Sequence, residues 1–219
     1  MKIIEPKATL IDVINPDEIL AKLERCGRVS RKSAAKGKPE EFVRMLISKG
    51  HESVLEHVSL TFHIVCDRAI MAELTRHRHA SFTVESTRYV KYNELEIILP
   101  IGKAPTYFFS DEGDNYLRWC VDDEFNYVIH SAEIGYKTLL GEQPNKEFNL
   151  PPEQARAVLP LCLATELYMT ANLREWRHIL KLRTSEAAHP QMRYIANQIL
   201  DVFKDKLPVI VEDIECSSS

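Results

Sequence analysis

Apolar and polar positions change their period several times along this chain, and each change marks a predicted element. Residues 3–14 are apolar and β-branched and predict a strand. Asn15-Pro16-Asp17-Glu18 offers an N-cap, a proline at the first helical position and then acids, which predicts a helix to about Cys26. Residues 30–38, rich in Lys, Ser and Gly, predict a loop. Pro39-Glu40-Glu41 opens a second helix, which Gly50 closes. Residues 58–66 alternate and are β-rich, so they predict a strand. Residues 69–76 predict a helix leading into a segment that reads mostly as loop. Residues 96–99 predict a short strand ended by Pro100, and 100–113 read as irregular. Residues 115–140 carry helical apolar spacing, with Gly141 as a cap. Residues 154–158 predict a short helix, 161–169 fit either strand or helix, and 174–181 and 191–206 predict helices. There is no internal repeat or low-complexity linker, and 215–219 read as a frayed tail. The pattern is α+β.

A length of 219 residues favours one domain over 1–219. At 45% hydrophobic and 27% charged, the composition is that of an ordinary globular protein. The net charge of -4 argues against a general nucleic-acid binder. Positive charge gathers around 68–91 and 172–193, which suggests a focused anion site on an acidic body. No apolar run is long enough to span a bilayer, and the start, soon broken by Glu5-Pro6, does not read as a signal peptide. Cys26, Cys66, Cys120, Cys162 and Cys216 are odd in number and widely spaced, which reads as reduced thiols in the cytoplasm.

The densest chemistry lies in Arg76-His77-Arg78-His79-Ala80-Ser81-Phe82-Thr83-Val84-Glu85-Ser86-Thr87-Arg88. Three arginines offer planar donor forks suited to phosphate and carboxylate, and Ser81 and Ser86 add hydroxyls. A surface loop whose arginines pair with nearby acids is the plainer reading. A site for a multiply anionic ligand such as a nucleotide is the sharper one. His51-Glu52-Ser53-Val54-Leu55-Glu56-His57 spaces its histidines six apart, not the four of the helical zinc motif, so no metal site is expected. Arg156 reads either as a snorkelling helix-surface arginine or as an anion ligand. Arg174 and His178 are four apart, so they share a helix face near its start, where anions are favoured. Trp176 reads as core or interface. Arg183 could simply complement a helix dipole. Cys162 lies in an apolar run and reads as a buried, inert thiol.

The same segments resemble the flavin-dependent thymidylate synthases. Arg76, His77, Arg78, Ser81, Ser86 and Arg88 fill all six fixed positions of that family's Arg-His-Arg…Ser…Ser-x-Arg signature. His51 to His57, Ala155-Arg156…Leu159-Pro160, Asn172-x-Arg174…His178 and Leu182-Arg183 resemble further family segments, over about residues 25–205. The resemblance implies a central, mainly antiparallel sheet flanked by helices in a homotetramer with ligand sites shared between subunits. It implies that dUMP is converted to dTMP with methylenetetrahydrofolate as carbon donor, FAD as hydride carrier and NADPH as reductant. It places Ser53, Glu56, His77, Arg78, His79, Asn172, Arg174 and His178 at the cofactor. It places Glu73, Arg76, Glu85, Ser86, Thr87, Arg88, Arg156 and Arg183 at dUMP, with Arg183 stabilising charge on the uracil ring. Many members carry Glu where this chain has Val84; here the acid is the next residue, Glu85. The alternatives are a nucleotide- or RNA-binding module without catalysis, or a plain flavoprotein reductase.

Overall fold

The computed structural model describes residues 1–35, 37–99, 114–142 and 149–214, with 114–123 described by backbone alone. The predicted irregular stretch 100–113, the tail, and the side chains of Cys120 and Cys216 fall outside the described residues. The chain folds as two compact units, between which it passes repeatedly. The first comprises Met1–Pro6, Cys66–Met71 and Val84–Thr165; the second comprises Lys7–Val65, Ala72–Thr83 and Glu166–Ser219.

The second unit is built around a four-stranded sheet. Its strands are β2 (Lys7–Leu10), β3 (Ser59–Asp67), β6 (Ala164–Asn172) and β4 (Ala80–Val84), in the spatial order β2-β3-β6-β4. β2 and β3 run antiparallel, with Leu10 opposite Phe62. β6 resolves the segment that fitted two readings. From Glu166 its residues alternate, burying Leu167, Met169 and Ala171 while Glu166 and Tyr168 are exposed. On the other face, cross-strand partners meet: His63 with Glu166 at 2.9 Å and Thr61 with Thr170 at 2.9 Å. β4 is the strand within the signature, whose other residues are turn and loop as predicted. Phe82-Thr83-Val84 is aromatic and β-branched, and its period of two suits a sheet strand.

Helices α6 (Leu173–Arg183) and α7 (Pro190–Lys206) supply this unit's core. Trp176 is fully buried, edge-on to Phe62 at 5.0 Å, and its indole N–H donates to the Leu60 carbonyl at 3.0 Å. Phe203 stacks on Phe62 at 6.1 Å. Helix α1 (Pro16–Val29) starts where Asn15 predicts, its Oδ1 accepting from Asp17 N. It runs past the predicted end to Val29, and at Gly27 α2 (Pro39–Ser48) comes close: a Cβ there would lie 2.8 Å from the Phe42 ring. Gly50, at φ +69°, follows the end of α2 as predicted.

The first unit contains β1 (Lys2–Ile3) and β5 (Glu96–Ile97), paired in parallel, so residues 3–14 feed two different sheets. It also contains α3 (Arg68–Leu74) in part, α4 (Asp114–Leu139), and α5 (Pro152–Ala155) with a 3-10 turn Arg156–Val158. Leu95, Ile97, Ile129 and Leu163 form one core cluster, against which Tyr92 and Leu159 pack. Among the described residues no helix is long and apolar enough to cross a membrane.

Candidate functional site

In the second unit a cleft of about 540 Å³ opens along the start of α6, lined by Glu52, Glu56, His79, Asn172, Arg174, Glu175, Arg177, His178 and Lys181. Its charge is mixed, but the cations differ in how they are held. Arg177 is buried and bound to Glu52 at 3.0 Å, Asp213 at 2.7 Å and the Ile210 carbonyl. Arg174 is half-exposed and meets Glu56 at 2.6 Å. Asn172 uses its side-chain oxygen to cap α6, accepting from Glu175 N at 2.9 Å. A neighbouring cavity of about 810 Å³ is lined by Ser53 and, again, by Glu56. The 3-10 turn Glu52–His57 thus presents Glu56 to both spaces.

A second cluster in this unit joins α3's end to α6. His77 is buried, and its Nε2 accepts from Arg183 Nε at 3.1 Å. Arginine only donates, so the neutral ring carries its hydrogen on Nδ1, which faces Glu175 Oε1 at 3.6 Å. Burial, helped by the Arg183 and His178 charges, holds the His77 pKa down at about 4. Glu73 takes the other end of Arg183, at 3.1 Å. His77, Glu175 and His178 bring ligand atoms within 4.8 Å of one another, close enough for a metal. The donor set does not suit one: Arg183 occupies one His77 nitrogen and the other carries a proton. Arg76, Arg78 and His79 are exposed in the turn before β4, and Ser81 is exposed on that strand.

In the first unit, Ser86-Thr87-Arg88 forms a tight turn. Arg88 N donates to Ser86 Oγ at 3.3 Å, and Tyr89 N to the Ser86 carbonyl at 3.1 Å. Thr87 is buried and its Oγ1 accepts from Arg156 Nη1 at 3.1 Å, so the structure brings these two predicted residues together. Arg88 is half-exposed, meets Glu153 at 3.5 Å and lies over the Tyr89 ring at 5.5 Å from its centroid. The Glu85 carboxylate accepts the Tyr92 hydroxyl at 2.6 Å.

Cys162 is half-buried, not buried as expected, yet burial still raises its pKa above the ordinary thiol value. It stays a thiol at neutral pH, which makes it a poor nucleophile. The sequence reading missed Lys181, although residues 174, 178 and 181 share a helix face. It also missed Glu175, Arg177 and Tyr92, whose roles depend on partners distant in sequence.

Residues 9–209 match the family model described as thymidylate synthase complementing protein. A probable flavin-dependent thymidylate synthase of Mycobacterium phage D29 is 34% identical over 181 residues, 80% of this chain and 72% of that protein. The flavin-dependent thymidylate synthase of Mycobacterium tuberculosis (strain ATCC 25177 / H37Ra) is 32% identical over 213 residues, 90% of this chain and 80% of that protein. The fold is similar to the crystal structure of the UMP/dUMP methylase PolB from Streptomyces cacaoi bound with 5-Br dUMP. There the TM-score is 0.75 at 26% identity, covering 97% of this chain and 96% of that one. With its signature positions filled and its matches spanning both units, the chain belongs to the flavin-dependent thymidylate synthase family.

Proposed function

We propose that this protein is a thymidylate synthase that methylates dUMP reductively to dTMP, with methylenetetrahydrofolate as carbon donor, FAD as cofactor and NADPH as reductant. Family membership over residues 9–209, with Arg76, His77, Arg78, Ser81, Ser86 and Arg88 all present, carries this reading. The chain's alternation between its two units supports treating 1–219 as one functional domain.

The cleft along α6 fits FAD. A helix N-terminus, the half-exposed Arg174, and His178, Lys181 and His79 suit a pyrophosphate. Ser53, Glu56, His77, Arg78 and Asn172 complete the expected holding set. When bound, FAD supplies the hydride that completes the methyl group. Ser86, Thr87, Arg88 and Arg156 hold the dUMP phosphate, with Arg76 beside the nucleotide.

Arg183 stabilises the negative charge that the uracil ring must carry as its C5 attacks the methylene carbon. Glu73 and His77 fix its guanidinium from two sides, so little reorganisation is needed when that charge develops. No side-chain nucleophile is required, in keeping with a protonated Cys162. Exposed Tyr127, Val128 and Ile134 on α4 support burial of that helix in a homotetramer. Free Cys26, Cys66 and Cys162 suit a cytoplasmic protein.

The absorbance spectrum of the purified protein tests the reading. A flavin spectrum near one per chain, with FAD released on denaturation, is expected. A colourless protein that takes up no added FAD would overturn it.

A further inference from the structure

Three side chains of the first unit that the proposed reaction leaves without a direct role form a chain of their own. The Tyr92 hydroxyl donates to Glu85 Oε1 at 2.6 Å and accepts from Arg68 Nη2 at 3.1 Å. Arg68 Nη1 also donates to the Glu85 backbone carbonyl at 3.5 Å, and its Nη2 lies 4.0 Å from Glu85 Oε2. Burial, with the bond to Glu85, raises the Tyr92 pKa well above the ordinary phenol value, so the hydroxyl stays protonated and keeps donating. All three side chains are half-buried, where such charge-assisted bonds are worth more than on an open surface.

Their position gives the chain its meaning. Glu85 immediately precedes Ser86-Thr87-Arg88 and Tyr92 lies four residues beyond it, so the Tyr92–Glu85 bond closes residues 85–92 into a loop. Arg68 ties that loop to a second segment. Its backbone N–H donates to the Leu161 and Leu163 carbonyls at 3.0 and 3.1 Å, just past the turn that carries Arg156. Arg68 therefore touches both stretches from which the anion ligands project. Arg88 has no comparably firm anchor of its own, being half-exposed and 3.5 Å from Glu153.

We propose that Arg68, Glu85 and Tyr92 are positioning residues that hold the Ser86–Arg88 turn and the Arg156 segment in register for one phosphate monoester. The inference rests on the reading of that turn as the dUMP phosphate site. It gives Glu85 a role different from that of a ligand: the acid acts through the loop, not on the nucleotide.

The test uses full-length, FAD-loaded protein titrated with dUMP and with deoxyuridine, which lacks the phosphate. Tyr92→Phe should weaken dUMP about tenfold, equivalent to about 1.4 kcal/mol, and leave deoxyuridine unchanged. Glu85→Gln should show the same selective loss and serves where Tyr92→Phe folds poorly. Arg88→Ala is the control for the underlying reading. If Arg88→Ala weakens dUMP while Tyr92→Phe and Glu85→Gln do not, the positioning role is wrong. Equal weakening of dUMP and deoxyuridine would also overturn it, because a general loss of structure does not single out the phosphate. If Arg88→Ala leaves dUMP affinity intact, the phosphate site lies elsewhere and the inference falls with that reading.

Discussion

Arg177 on α6 and Arg88 in the Ser86–Arg88 turn are the same residue type put to opposite uses. Arg177 is 1% exposed, and Glu52, Asp213 and a backbone carbonyl take its donors. Its side chain ties the 3-10 turn 52–57 and the segment after α7 to α6. The Arg88 side chain is 53% exposed and meets one carboxylate at 3.5 Å. An exposed pair of that length adds little to stability and is given up cheaply when a stronger anion arrives. Arg183 lies between them: two fixed partners orient it, yet its side chain remains 23% exposed. Arginine content alone therefore does not locate a ligand site; the number and rigidity of its partners do.

The largest expected effect separates Arg183 from Arg177. Arg183→Ala should lower dTMP formation at saturating dUMP by roughly a hundred- to thousandfold, about 2.7–4 kcal/mol, with FAD still bound. Arg183→Lys should not rescue fully, since an ammonium lacks the planar fork. Near-normal turnover in Arg183→Ala would place Arg183 with Arg177 as a fold-holding arginine.

A pH titration tests the anchor beneath Arg183. His77 has a folded pKa of about 4 against an ordinary 6.5, so between those values the unfolded chain binds the extra proton. Its contribution is complete above pH 6.5 and is lost as pH falls toward 4, in all about 3 kcal/mol. Denaturant unfolding of wild type and His77→Gln should diverge in that window, the variant losing that part of the slope. Below about pH 4, protonation of Asp213 adds a further loss, because its bond to Arg177 holds its pKa below the usual carboxylate range. Parallel pH profiles for the two proteins would contradict the buried, neutral His77.

Arg177→Met should cost about 2–3 kcal/mol in denaturant unfolding. This is less than the loss of a fully buried partner, because Asp213 is half-exposed. Arg174→Met should leave stability nearly unchanged and release FAD more readily. The reverse pattern would invert the roles given to these two arginines. The smallest effect is expected of Cys162→Ser: a stability loss of about 1 kcal/mol and turnover close to normal. A folded, FAD-loaded variant without turnover would instead require a thiol nucleophile.

Much of this was legible in the sequence where the cause is local. Asn15-Pro16 starts α1 because its cap needs only the next three residues, and the alternation of residues 58–66 predicts β3. Resemblance to the family's signature marks the segment around Ser86, because its fixed positions are close together in sequence. What stayed hidden depends on distant partners. Residues 161–169 fitted strand or helix until β3 supplied the opposite side of each pair. The bonds of Glu85 to Tyr92 and Arg68 likewise have no local signal. The close approach of Gly27 to Phe42 depends on a second helix and has none either.

Product formation tests the central claim most directly. FAD-loaded protein is mixed with dUMP, methylenetetrahydrofolate and NADPH, and dTMP and NADPH are followed together. dTMP should appear in step with NADPH oxidised, and both should cease when dUMP is left out. NADPH oxidation at the same rate without dUMP, and no dTMP, would show a plain reductase and contradict that claim.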